Sequence, residues 1–229
     1  MNLIHFKKKD IYSALFCLLV FTITASLIWL QNKTILTIDS FLTHQIQQIF
    51  GHPQMTYHGN FFNDLMTFFA TYGDATPLVL LSFILSIPLF ISGYRFLVIW
   101  FLGVVATGGI VGVIMKLFFQ RERPLGHLLE DDGGSFPSGH AVGSTLVCLA
   151  LLVVIIPLLK QPALNFIVKS LVWVSWISIL VSRLYFSAHH FSDLIGGVSL
   201  AAFWFFSAVV VYSLTADWFK KYLFKKSKI

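Results

Sequence analysis

Three short stretches of this 229-residue chain gather cations, imidazoles and a carboxylate at useful spacings. The first reads Lys116-Leu-Phe-Phe-Gln-Arg121-Glu-Arg123-Pro124 and the second Pro137-Ser138-Gly139-His140. The third is Ser182-Arg183-Leu-Tyr-Phe-Ser-Ala-His189-His190-Phe-Ser-Asp193. Lys116, Arg123 and Arg183 would be fixed cations for a phosphate, with the guanidinium forks matching pairs of its oxygens. Ser138 and Gly139 open a helix, where the first N–H groups lack internal partners and the dipole favours an anion. Ser138 can cap or donate its hydroxyl, Gly139 permits close approach to the backbone, and His140 stands ready as a proton donor. Asp193 follows His189 by four residues, which on a helical turn lets the carboxylate hold the imidazole in one tautomer. His190 is three residues from Asp193 and can reach it too, so spacing leaves the two histidines open. Together these groups could hold a phosphate and move it onto a histidine.

The elements that must position them are membrane spans. The chain is 57% hydrophobic and 11% charged, with a mean hydropathy of +0.80, where a soluble domain carries about 25% charged residues. Its 24 Phe and 6 Trp suit a lipid-facing surface with interfacial anchors. Cys17 and Cys148 sit inside apolar runs, so neither a disulfide framework nor a Cys-rich metal pattern is expected. The net charge of +6 is concentrated before the first apolar run (Lys7, Lys8, Lys9) and after the last (Lys220, Lys221, Lys225, Lys226, Lys228). That is a pair of membrane borders rather than a basic face for nucleic acid.

A span needs about 20 mostly apolar residues. Six stretches qualify: 11–30, 76–92, 96–115, 141–159, 168–186 and 194–214. The first is too long for a signal peptide and lacks a small-residue cleavage site, so it reads as a retained anchor. The segment 35–72 mixes apolar residues with His44, His52, His58, Asp39 and Asp64 at roughly helical period, and Gly51-His52-Pro53 breaks it. It reads as two short amphipathic helices lying in the interface. None of its acidic or histidine residues has a metal-ligand spacing, so they are expected to be interfacial polar residues. Residues 125–136, with His127 and the acidic run Glu130-Asp131-Asp132, read as a solvated loop. The fold class is therefore all-α: a six-helix transmembrane bundle, one domain over residues 1–229, with short interfacial helices between the first and second spans.

With both termini in the cytoplasm, the inside holds Lys7, Lys8, Lys9, Arg95, Lys160, Lys169 and the five tail lysines, eleven of the sixteen Lys and Arg. The outside holds Lys33, Lys116, Arg121, Arg123 and Arg183, as the positive-inside rule favours. All three motifs then fall on the external face, at the ends of the third and fifth spans and the starts of the fourth and sixth. Lys116 and Arg123, seven apart, are expected on one helical face with Arg121 rotated off it, and Pro124 would stop the helix.

The three segments resemble the motif set of the type 2 phosphatidic acid phosphatase (PAP2) superfamily: Lys-x6-Arg-Pro, Pro-Ser-Gly-His and Ser-Arg-x5-His-x3-Asp. The motif likeness runs from about Tyr72 to Gly197, and the six-span layout extends it to the whole chain. One departure is visible: Phe186-Ser187 stands where many members have a residue followed by Gly. The resemblance selects His189 over His190, since x5 and x3 fit only the former. It implies that His189 attacks phosphorus, Asp193 orients it, and His140 protonates the leaving oxygen and then activates water. It assigns Lys116, Arg123, Ser138, Gly139 and Arg183 to the phosphate oxygens, with no metal and no cofactor. The implied substrate is a membrane lipid phosphate or diphosphate: undecaprenyl diphosphate, phosphatidylglycerophosphate or phosphatidic acid. The short N-terminal segment and the near absence of soluble domains are expected of a bacterial member. Two other classes would use the same cations: a lipid-phosphate carrier or flippase, and a phosphotransferase passing phosphate to an acceptor other than water.

Overall fold

The computed structural model describes residues 7–128, 133–159, 161–225 and 227–228. The acidic run Glu130–Asp132, together with Lys160 and Lys226, lies outside the described residues. Among the described residues every regular element is a helix: α1 Lys8–Trp29, α2 Lys33–Phe50, α3 Phe61–Tyr72, α4 Ala75–Ile91, α5 Arg95–Phe119, α6 Gly139–Ala150, α7 Pro162–Tyr185 and α8 Phe191–Tyr222. α6 is prolonged by a wide π-type turn, Leu151–Ile155, and a tight 3-10 turn, Ile156–Leu158. Its continuous α-helical part is thus shorter than the span expected over 141–159.

Local chemistry sets these boundaries. Asn32 caps α2 by accepting the Thr34 N–H at 3.0 Å, and Asn60 caps α3 by accepting that of Asn63 at 2.9 Å. Asp74 does the same for α4, accepting from Ala75 at 2.7 Å. α2 ends at Gly51, whose φ of +70° suits a residue without a Cβ. α7 opens on Pro162, whose missing N–H costs nothing in a first turn.

Five of the helices are long and apolar enough to cross a membrane: α1, α5, α6 with its continuation, α7 and α8. α4, of 17 residues, follows α3 after a bend of 67°, and that broken pair makes a sixth span if counted as one. The first expected interfacial helix is α2. The second is α3, which packs against α7 and would be the first limb of the sixth span if the bent pair is counted as one. α7 begins six residues before the expected 168, and α8 runs well past the expected 214.

α8 is the central helix, packed on α1, α5 and α6. Leu97 and Phe101 of α5, Leu146 of α6, and Phe205 and Tyr212 of α8 are almost wholly buried there. Lipid is as apolar as these side chains, so association depends on close fit and small residues rather than on exclusion of water. Gly108 of α5 supplies such a contact, since a Cβ there would lie 2.7 Å from Leu146 Cδ1. α7 lies largely outside this core, with Leu171, Val174 and Ile177 exposed, as befits a lipid-facing helix of a multi-pass membrane protein. At the end of the bundle remote from the motifs, the C-terminal segment covers the start of α5. Ser227 Oγ accepts from the Phe96 N–H at 3.1 Å, and the Lys228 N–H donates to Gly93 O at 2.9 Å.

Candidate active site

The C-terminal ends of α5 and α7 and the N-terminal ends of α6 and α8 meet at one end of the bundle. Two glycines on α8 let α6 come close. A Cβ on Gly197 would lie 2.7 Å from Ala141 Cβ and 2.8 Å from Ser138 O, and one on Gly196 would collide with the Phe136 ring. The Ser138 N–H accordingly donates to the main-chain carbonyl of Asp193 at 3.1 Å. Ser138 is the N-cap of α6, its Oγ accepting from the Ala141 N–H at 3.4 Å. The N–H groups of Gly139 and His140 therefore head the helix. Nothing lies within 4 Å of where a Gly139 Cβ would be, so open space faces this positive helix end.

The expected helical face for Lys116 and Arg123 does not form. α5 stops at Phe119, and Gln120 takes a left-handed conformation with φ +43°. Arg121, Glu122 and Arg123 thus leave the helix before Pro124 can end it. Arg123 returns to the site along the loop, donating through Nη1 to Ala188 O at 2.7 Å and through Nε to Gly133 O at 3.2 Å. Lys116 stays in the last turn of α5, within electrostatic reach of His140, as are Arg183 and His189. The Arg183 side chain is buried at the end of α7.

The His189–Asp193 pair is not a helical i, i+4 pair either. α8 begins at Phe191, so His189 precedes the helix and Asp193 sits in its first turn. There Asp193 Oδ2 accepts the His190 N–H at 2.8 Å and faces His189 Nδ1 at 3.7 Å. His189 is 3% exposed. Burial lowers its imidazole to about 4, with Arg183 and Arg123 pushing the same way and Asp193 opposing them. The ring is therefore neutral at ordinary pH, as a nucleophile requires. His190 is also held low, first by burial, and lies on the opposite side of the turn.

That opposite side borders an open cleft of about 1520 Å³ between the end of α1, α2 and the 119–125 segment. Trp29, Leu36 and Phe41 give it apolar wall, while Lys33, Arg121 and Arg123 give it charge.

Several residues here were outside the sequence-derived set. His140 Nε2 donates to the Ala70 carbonyl at 3.0 Å and lies 3.8 Å from Asp74 Oδ1. The α3–α4 bend thus reaches the α6 terminus, and a main-chain carbonyl leaves no mark in a sequence. Asp39, expected to be an interfacial polar residue, is 1% exposed and ion-paired to Arg121 at 2.7 Å. Asp64 conforms better to expectation, accepting the exposed Gly59 N–H at 3.3 Å. Among the described residues no three His, Cys, Asp or Glu side chains converge as metal ligands do.

A model of the PAP2 superfamily matches residues 96–218, which span all three motifs. Among solved structures, one described as the first transmembrane PAP2 type phosphatidylglycerolphosphate phosphatase from Bacillus subtilis is similar. It aligns with a TM-score of 0.71 at 23% identity over 87% of this chain and 96% of its own. No curated protein sequence matches the chain.

Proposed function

This chain belongs to the PAP2 superfamily and is a membrane phosphatase, and from that premise we propose that it acts on lipid phosphate by a phosphohistidine mechanism on the outer face of the membrane. The observation that carries it is the convergence of a buried neutral His189, its partner Asp193, three cations and an open helix start at one end of the bundle.

His189 turns Nδ1 toward Asp193, so Nε2 is the attacking atom. The Nε2–P bond forms as the ester or anhydride P–O bond breaks, and the departing oxygen takes a proton from His140. With its Nε2–H on the Ala70 carbonyl, His140 enters this step as the imidazolium and gives up its Nδ1 proton, which leaves the neutral ring that the second step needs. In the second step His140 draws the proton from water, the water oxygen bonds to phosphorus, and the Nε2–P bond breaks. Lys116, Arg123 and Arg183, with Ser138 and the Gly139 N–H, hold the equatorial oxygens as charge spreads over them.

Among undecaprenyl diphosphate, phosphatidylglycerophosphate and phosphatidic acid, phosphatidylglycerophosphate takes first place. The Bacillus subtilis phosphatase that shares the fold is described by that substrate. The cleft beside Arg123, part apolar and part basic, suits the approach of such an amphiphile. The outward orientation, with both termini in the cytoplasm, rests on the sequence count, in which that arrangement gives the inside eleven of the sixteen Lys and Arg.

The deciding experiment is phosphate release from a panel of the three purified lipids in detergent, with and without EDTA and acceptor alcohols. Release of inorganic phosphate that survives EDTA supports the hydrolase. Transfer to the alcohols in place of release would make it a phosphotransferase, and binding without turnover a carrier. An impermeant thiol reagent should label a cysteine placed at Gly133 in intact cells and miss one at Lys225.

A further inference from the structure

Arg121 belongs to no motif, yet its side chain is only 9% exposed and lies between two carboxylates. Nη2 donates to Asp39 Oδ2 at 2.7 Å. Nη1 donates to Asp193 Oδ1 at 2.6 Å and to Ser192 Oγ at 2.7 Å. Asp39, reaching in from α2, also accepts the Ser192 N–H on Oδ1 at 3.0 Å and the Ser192 hydroxyl on Oδ2. Each Asp193 oxygen therefore has its own anchor: Arg121 on Oδ1, the His190 N–H on Oδ2. The carboxylate cannot turn without breaking one of them, and it is the second oxygen that faces His189 Nδ1.

The guanidinium is committed to carboxylates through both Nη atoms, so it is poorly placed to serve as a fourth phosphate cation. Its effect must pass through Asp193. A charged partner held at this position favours the Nδ1–H tautomer of His189, and keeps a negative charge in place as the ring becomes cationic during attack. Without Arg121, two buried carboxylates would share one pocket with no cation between them, and each would be pressed to protonate or swing away.

We propose that Arg121, braced from the far side by Asp39, is a positioning residue that fixes the Asp193 carboxylate against His189. The proposal rests on the reading of Asp193 as the partner of a nucleophilic His189, and the test separates the two.

Arg121→Met, Asp193→Asn and the double variant are purified in detergent and assayed for phosphate release from dioctanoyl phosphatidic acid, with rates taken per monodisperse, folded protein. Arg121→Met is expected to lower kcat by about 10²-fold, the scale of a small misplacement of catalytic groups. KM should stay within about threefold, since the phosphate cations are untouched. Asp193→Asn should lower kcat by about 10³- to 10⁴-fold, as loss of an orienting carboxylate does. The double variant should be no slower than Asp193→Asn alone, because Arg121 has nothing left to position. A merely structural role would instead multiply the two losses, and that outcome overturns the proposal. So does a wild-type kcat in Arg121→Met, or a defect confined to KM. Should Arg121→Met not fold, Asp39→Asn takes its place, with a kcat loss expected in the wild-type background and none beside Asp193→Asn. An active Asp193→Asn overturns the underlying mechanism and this inference with it. A slow Asp193→Asn beside a fast Arg121→Met overturns the inference alone.

Discussion

Ser138 donates its main-chain N–H to the carbonyl of Asp193 at 3.1 Å. That one bond ties the helix start facing the open phosphate space to the turn that carries the histidine's partner. It exists because α6 and α8 approach without side chains between them. Asp193 thus faces two ways, with its carboxylate toward His189 and its carbonyl toward α6.

Gly197 is the residue that permits this approach. In Gly197→Ala the added methyl would sit 2.7 Å from Ala141 Cβ and 2.8 Å from Ser138 O, and a main-chain atom cannot swing aside. Overpacking of this kind costs about 1–3 kcal/mol. The variant should lose thermal stability and, as the α6 terminus is pushed off the site, at least about tenfold in kcat. Gly103→Ala on α5 is the control, since nothing lies within 4 Å of its Cβ position, and it should be neutral or slightly stabilising. Equal behaviour of the two variants in a detergent melt and a turnover assay would remove the close-approach argument.

Ser187 gives a test with a signature across two substitutions. It stands in the left-handed region, φ +51°, which costs a residue with a side chain roughly 1–2 kcal/mol. Its Oγ accepts from Gln47 Nε2 at 3.2 Å, a bond worth about 1 kcal/mol. Ser187→Gly relieves the first and loses the second, so its melting temperature should stay close to that of the parent. Ser187→Ala keeps the strain and loses the bond, and should melt lower than both. A Ser187→Gly variant much less stable than Ser187→Ala would show that the strain argument has the wrong sign.

The same residue shows where the sequence was informative. It stands where many PAP2 members have glycine, and its positive φ is the conformation that a glycine suits. The spans were legible because apolar runs of that length are rare by chance, and the motifs because their residue types are costly inside a membrane. The Arg121–Asp39–Ser192 cluster was not legible. Its members are joined across separations of 82 and 153 residues, and helical periodicity carried past Phe119 turned Arg121 away from the site. The helix ends instead at Gln120, so the register used for Lys116 and Arg123 applied to a turn that does not exist. The α3–α4 bend escaped for another reason: two short apolar helices at 67° have the same composition as an interfacial helix followed by a span.

Burial of His189 predicts how stability depends on pH. The ring is held at about 4 in the folded protein and would return to about 6.5 in the unfolded chain. Between these values the unfolded state takes up a proton that the folded state refuses, so stability falls as pH drops from about 6.5 toward 4. Above about 6.5 both forms are neutral and this contribution is flat. Thermal midpoints between pH 7.5 and 5 should therefore fall more steeply in the parent than in His189→Gln, which cannot titrate there. Parallel curves for the two proteins would mean that the imidazole is not held neutral by the fold.

The roles of the three histidines separate in a rapid-quench experiment with radioactive lipid phosphate. His189→Ala should give neither turnover nor a labelled protein, because no nucleophile remains. His140→Ala should slow both half-reactions, since one imidazole serves the leaving oxygen and then the water. An aryl phosphate has a leaving group that needs little protonation, so with it the first defect should shrink while the second persists. Acid-labile phosphohistidine should then accumulate in His140→Ala and in neither of the other variants. His190→Ala should keep substantial activity, because what residue 190 gives Asp193 is its main-chain N–H, which an alanine retains. If His190→Ala were dead and His189→Ala active, the nucleophile would be the wrong imidazole, and Asp193 would act through a residue three positions away instead of four.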